Sequence, residues 1–209
     1  MAFGLVKHNN NSISAITSGG ALAQGKMTLI KEQTASSSSS ISFVHGSSDV
    51  VLDSTYPIYL FKFINIHPAT NFTHLSFQAN ASGGSGYNET ITSTMFVANH
   101  KEDDSSTNLA YEGDGDLAQG TGFQSIIHAI GNGNDECGSG YLHIFNPSST
   151  TFVKHFIANT NTYTDDDRSQ NNFSAGYINT TSALDAFQFK MSSGNIDSGT
   201  IKLYGIKGS

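Results

Sequence analysis

The stretch Ala186-Phe-Gln-Phe-Lys-Met-Ser-Ser-Gly-Asn-Ile-Asp-Ser-Gly-Thr-Ile-Lys-Leu-Tyr-Gly-Ile206 constrains the fold more than any other part of the chain. Two runs that alternate apolar and polar residues flank a Gly/Ser/Asn loop, and the second run stops three residues from the end. A period of two is the signature of strands half buried on a core. The expectation is a β-hairpin whose last strand closes the domain, leaving no tail to carry a signal.

The same theme runs through the whole chain. Glu occurs only at 32, 89, 102, 112 and 136, and Arg168 is the sole arginine. Long helices draw on Glu, Lys and Arg for their wet faces, whereas this chain uses Ser, Thr, Asn and Gly. Eleven stretches read as short strands: Met27 to Thr34, Ile41 to Val44, Tyr56 to Ile66, Phe72 to Gln78, Thr90 to Ala98, Phe123 to Ile130, Tyr141 to Phe145, Phe152 to Ala158, Ala175 to Thr180, Leu184 to Met191 and Thr200 to Ile206. Turn residues separate them, the spacing of an all-β antiparallel sandwich or jelly-roll-like domain. Tyr56 to Ile66 is apolar on both alternating faces apart from Lys62, which places it mid-sandwich with a cover on each side. Around Ile126-Ile127, periodicity does not separate a strand from a short helix.

With 209 residues, such a domain buries roughly 70% of its unfolded surface and needs no disulfide framework. The single Cys137 agrees with that and excludes a cysteine-rich metal site. Residues 1–26 carry Lys7 and Lys26 and no acid, while the other 183 hold eight basic and seventeen acidic side chains, a net −9. An acidic body argues against nucleic-acid binding, which needs clustered Lys and Arg. No run approaches the roughly 20 apolar residues of a membrane helix, and the first residues lack the regions of a signal peptide. The chain reads as one made in a cytoplasm and kept or assembled there.

Residues 1–26 keep neither period. Their spaced apolar residues Phe3, Leu5, Val6, Ile13, Ile16 and Leu22 suit an extended arm that docks on a partner, with a reach of about 86 Å at ~3.3 Å per residue. Residues 27–209 form the sandwich in this reading.

Chemistry is sparse. The acidic clusters Glu102-Asp103-Asp104, Asp114-Gly115-Asp116 and Asp165-Asp166-Asp167 lack the twelve-residue spacing of an EF-hand and read as wet loop tips. The eight histidines form no His-x-x-x-His pair, so no metal or other cofactor is expected. His128, His143 and His155 fall inside strands and read as half-buried imidazoles. Cys137 lies beside Asp135 and Glu136, which raise a thiol pKa and dull it as a nucleophile. No Gly-x-Ser-x-Gly elbow or phosphate loop occurs, and no catalytic residue is assigned. A polysaccharide depolymerase would need two carboxylates facing across a groove, and these acids sit in polar loops. Tyr87, Tyr111 and Tyr163 lie in Asn/Asp-rich loops, where a ring stacks on a sugar face, and are the candidate glycan contacts.

Three phrases carry a resemblance: Tyr59-Leu-Phe-Lys-Phe-Ile-Asn-Ile-His-Pro-Ala-Thr70, Gly140-Tyr-Leu-His-Ile-Phe-Asn-Pro-Ser-Ser-Thr-Thr-Phe-Val-Lys-His-Phe156, and Ser193-Gly-Asn-Ile-Asp-Ser-Gly-Thr-Ile-Lys-Leu-Tyr-Gly-Ile206. Over roughly residues 27–209 the chain resembles virion structural proteins of tailed bacteriophages, particularly of marine cyanophage and pelagiphage type. The resemblance implies a non-enzymatic virion component, at a tail, fibre or head-decoration position. Its partners would be other virion proteins, further copies of itself (trimers being common in virion appendages) and a host-surface glycan. An acidic, hydroxyl-rich domain suits a particle exterior, because like copies repel weakly and remain soluble.

Overall fold

The computed structural model describes residues 27–207. The residues expected to form the docking arm, Phe3 to Leu22, lie outside them. The described residues form twelve strands and no helix: β1 (Met27–Thr34), β2 (Ile41–Val44), β3 (Ile58–Pro68), β4 (Thr73–Ala81), β5 (Ile91–Lys101), β6 (Thr107–Tyr111), β7 (Gln124–Ile130), β8 (Gly138–Phe145), β9 (Lys154–Tyr163), β10 (Arg168–Ile178), β11 (Leu184–Met191) and β12 (Ile196–Ile206). They make two antiparallel sheets, one of eight strands in the order β1-β12-β3-β8-β9-β10-β5-β6 and one of four in the order β2-β11-β4-β7. The all-β sandwich expected from alternation is the observed architecture.

Phenylalanines lock the sheets together. Phe61 and Phe63 on β3 and Phe156 on β9 meet Phe43 on β2, Phe77 on β4 and Phe187 and Phe189 on β11, all essentially buried. Their rings meet edge to face, with centroids 4.9 Å apart for Phe61–Phe189, 5.1 Å for Phe77–Phe156 and 5.3 Å for Phe43–Phe61. Each such ring contributes about 1.5–3 kcal/mol by leaving water, and each well-angled pair about 0.5–1.5 kcal/mol more. Alternation supplies these rings, since period two aims every second side chain at the facing sheet.

Two expectations need correction, and one open choice is resolved. The two C-terminal runs are not a hairpin. β11 lies in the four-stranded sheet between β2 and β4, and β12 lies in the other sheet between β1 and β3. Their connection crosses the sandwich through Gly194 at φ +70°, a conformation that favours glycine. Both strands alternate because both face one core, and alternation does not distinguish a hydrogen-bonded neighbour from one across the core. Next, β3 sits centrally in its sheet but has a facing sheet on only one side. Tyr59, Phe61 and Phe63 point inward, while Ile64 is 40% exposed on the outer face. Leu60 is covered there within its own sheet, its register neighbours being Tyr204 and His143. Finally, the ambiguous segment around Ile126-Ile127 is strand β7, buried at all seven positions. β6 had no sequence signal: none of its five residues is buried, and it pairs with β5 alone.

Candidate functional site

The unequal sheets create the site. With eight strands facing four, the inner face of β9 and β10 passes beyond the edge strand β7 and turns polar. Thr160, Thr162, Gln170, Asn172 and Ser174 are all buried there. This layer occupies the free edge of β7 with side chains. Thr160 Oγ1 donates to the Ile126 carbonyl at 2.6 Å, and Gln170 Nε2 donates to the His128 carbonyl at 3.3 Å. Gln170 Nε2 also donates to Asn172 Oδ1 at 2.9 Å, and Asn172 Nδ2 donates to Thr160 Oγ1 at 3.4 Å. An edge strand covered this way cannot template another chain.

The connection from β6 to β7 is pinned beside that edge. Gln124 Nε2 donates to the Gly115 carbonyl at 2.7 Å, and Ser93 Oγ donates to Gln124 Oε1. Gly115 lies so tightly on Met95 that a Cβ there would overlap its sulfur. The loop is thereby held where Glu112 and Asp114 meet His128: one ligand atom from each lies within 4.8 Å of the others.

His128 is one of a pair. Its ring stacks on that of His74 from β4, with centroids 3.9 Å apart and planes 8° from parallel. The β4–β7 register shifts between Thr73 and Leu75, and Ala129 adopts φ +58°. That left-handed conformation costs a non-glycine residue roughly 1–3 kcal/mol. It turns the Ala129 N–H onto His74 Nδ1 at 2.8 Å. Burial first, and then the charge of His128, pull the His74 imidazole down to about 4, with Asp114 opposing. Burial also lowers His128, again against Asp114. Burial raises Glu112, and the hydrogen bond and charge of Asp114 add to that. The two histidines are neutral at neutral pH.

The site opens into a cleft of about 450 Å³. Phe72, 58% exposed and at φ +51°, stands at its mouth with its ring 6.1 Å from that of His74. Arg168 lines another wall, with Nε donating to Asp166 Oδ2 at 2.6 Å and Nη1 to Asn99 Oδ1 at 3.2 Å. Asp165, from the β9–β10 turn, lines the cleft beside them.

The candidate tyrosines lie elsewhere. Tyr111 ends β6, 60% exposed, with its hydroxyl on Asp116. Tyr163 ends β9, and its hydroxyl donates to Asp167 at 3.3 Å. Three strand positions separate them, about 14 Å at ~4.8 Å per strand, so no single sugar ring spans both. Tyr87 sits in the β4–β5 connection, and none of the three lines the histidine cleft. Of the acidic clusters, Glu102-Asp103-Asp104 forms the β5–β6 turn, where Asp103 Oδ1 accepts from Ser105 N–H at 3.0 Å. Asp114 and the Asp165-Asp166 pair reach the cleft. Cys137 is raised by burial and then by Asp135, in the direction expected of a dull thiol. Carboxylate oxygens of Glu112 and Asp114 lie within 4.8 Å of each other, but both come from one Gly-rich loop rather than from opposite walls of a groove. Sequence reasoning missed Phe72, His74 and Glu112 as site residues. Only the Glu112-Gly-Asp114 spacing offered a signal, as two carboxylates in one Gly-rich loop.

No known protein family matches the chain, and no curated protein matches it.

Proposed function

We propose that this chain is a non-enzymatic structural protein of a tailed-phage virion, assembled in the host cytoplasm as a symmetric homo-oligomer. In this reading residues 1–26 dock it to other virion proteins at a tail or fibre position, and the sandwich presents a host-facing surface. The observation that carries the reading is the strand order. Setting aside the hairpin-like additions β5–β6 and β9–β10, the remaining strands run β1-β12-β3-β8 in one sheet and β2-β11-β4-β7 in the other. Renumbered one to eight, that is 1-8-3-6 over 2-7-4-5, an order we read as that of a jelly roll, an architecture used by viral capsid and lectin domains.

Fold alone does not assign function, so the surface matters as well. The outer face of the eight-stranded sheet has no second layer among the described residues. It carries Leu29, Phe96, Leu109, Tyr111, Tyr141 and Ile157 with large exposed areas. Its middle dips into a hollow of about 480 Å³ floored by Ala175 and Gly176 and flanked by Ile157 and Tyr177. Scattered apolar residues need no explanation, but a row of them across one sheet suits packing against further copies.

Electron microscopy of particles carrying labelled copies tests the reading, and label on the head rather than the tail moves the assignment to head decoration. Deletion of residues 1–26 should leave a folded domain that no longer joins particles. Normal incorporation of the truncated protein overturns the docking role of the arm.

A second reading, a carbohydrate-binding module, is favoured by the exposed Phe72 ring beside the polar cleft of Asn99 and Asp165. A glycan array run with the intact chain and with Phe72→Ala separates it from the first. Silence with the intact chain removes it.

A further inference from the structure

We propose that Glu112, Asp114 and His128 form a binding site for a divalent metal ion of the Zn²⁺ class. This inference does not depend on the virion reading.

Two carboxylates side by side would not be enough, since acidic loops commonly stand in water without an ion. The independent observation is His128. It is 7% exposed, and its ring makes no hydrogen bond among the described residues. An imidazole almost wholly covered, with no protein partner for its ring and a place in the cleft wall, is positioned to take a ligand from the cleft. One of its nitrogens lies within 4.8 Å of a carboxylate oxygen of both Glu112 and Asp114. The His128 ring makes no hydrogen bond to either carboxylate, and a spread of up to 4.8 Å leaves room for an ion among the three atoms. Such a spread suits three atoms around a shared ion: bonds of ~2.0–2.2 Å put tetrahedral ligands roughly 3.4 Å apart, and a small rotation of the exposed Asp114 side chain closes the difference.

The ring is also held ready. Stacking on His74 fixes its plane, and the backbone bonds of Gln170 and Ala129 fix the strand beneath it. His74 spends its own Nδ1 on the Ala129 amide, so it supports the ligand ring rather than competing for the ion. Glu112 and Asp114 are anchored through Gly115, which is bound by Gln124 and pressed on Met95.

The donor set selects the ion. One imidazole nitrogen with two carboxylates is a mixed nitrogen–oxygen set, which suits Zn²⁺ and its transition-metal neighbours. Ca²⁺ takes six to eight oxygens and Mg²⁺ prefers water and carboxylates. Three protein ligands leave at least one position open to water from the cleft.

The test uses the full chain, stripped with a chelator and titrated with ZnCl₂ by calorimetry, with histidine ring-nitrogen NMR as a second readout. The expected result is one Zn²⁺ per chain, with the His128 ring resonances shifting and those of His100 unmoved. Glu112→Gln and Asp114→Asn, both at partly or fully exposed positions that the fold tolerates, should each weaken Zn²⁺ at least tenfold. His100→Ala, at the exposed His100–Asp104 pair, should bind as the parent does. Absence of binding overturns the proposal, as does binding that Glu112→Gln and Asp114→Asn both leave within about twofold. Displacement of Zn²⁺ by equimolar Ca²⁺ overturns the choice of ion.

Discussion

The ring of Tyr56 lies flat against Gly205, so close that a Cβ at Gly205 would fall among the ring carbons. Tyr56 precedes β3, and Gly205 is near the end of β12, the strand between β1 and β3. The glycine makes room for an aromatic lid over the end of the first sheet, and Tyr59 meets that lid edge to face at 5.7 Å. Gly205→Ala would ordinarily stiffen a strand by roughly 0.5–1 kcal/mol. Here overpacking dominates, and the variant should lose about 1–3 kcal/mol in urea denaturation. Unchanged or increased stability would show that Tyr56 can swing aside.

Tyr59 should make the fold sensitive to alkali. Its buried hydroxyl donates to the Asp53 carbonyl and accepts from the Asp53 amide, both at 2.9 Å. Burial is the main cause that pushes the phenol up to about 12. A raised pKa means the fold favours the neutral form. The contribution is therefore complete below the ordinary value of ~10 and is lost as pH rises through about 12. At neutral pH, Tyr59→Phe should cost about 1–3 kcal/mol by stranding the Asp53 groups. The gap between variant and parent should narrow steadily from pH 10 upward in chemical denaturation.

Thr160 and Thr162 occupy the same face of β9 and separate an essential hydrogen bond from a marginal one. Thr160 Oγ1 reaches the Ile126 carbonyl at 2.6 Å, on the open edge of β7. Thr162 Oγ1 has only the Cys137 carbonyl at 3.5 Å and its neighbour's carbonyl at 3.3 Å. Thr160→Val should cost about 1–3 kcal/mol and speed amide exchange along β7, while Thr162→Val should cost clearly less. Equal effects would mean that the polar layer acts through bulk rather than through the edge of β7.

The outer face of the eight-stranded sheet should govern self-association. Ile157, 38% exposed at its centre, pairs with His143 and Ala175 on the neighbouring strands. Ile157→Glu places a charge there without touching the core and should shift light-scattering mass toward the monomer, with an unchanged circular dichroism spectrum. An oligomer that survives this change uses another surface.

Alternation alone determined that this chain folds as strands, and the limits of β1, β2 and β11 follow the residues at which their period starts and stops. The turn-rich, helix-poor composition determined the class. Which strands pair was decided by the tertiary structure, because a neighbour in the sheet and a neighbour across the core impose the same period of two; β11 and β12 illustrate this. The cleft was decided there too. His74 and His128 stand 54 positions apart, and only the shifted β4–β7 register and the left-handed Ala129 stack their rings. Neither feature leaves a local pattern in a sequence, since both arise from how two strands settle against each other.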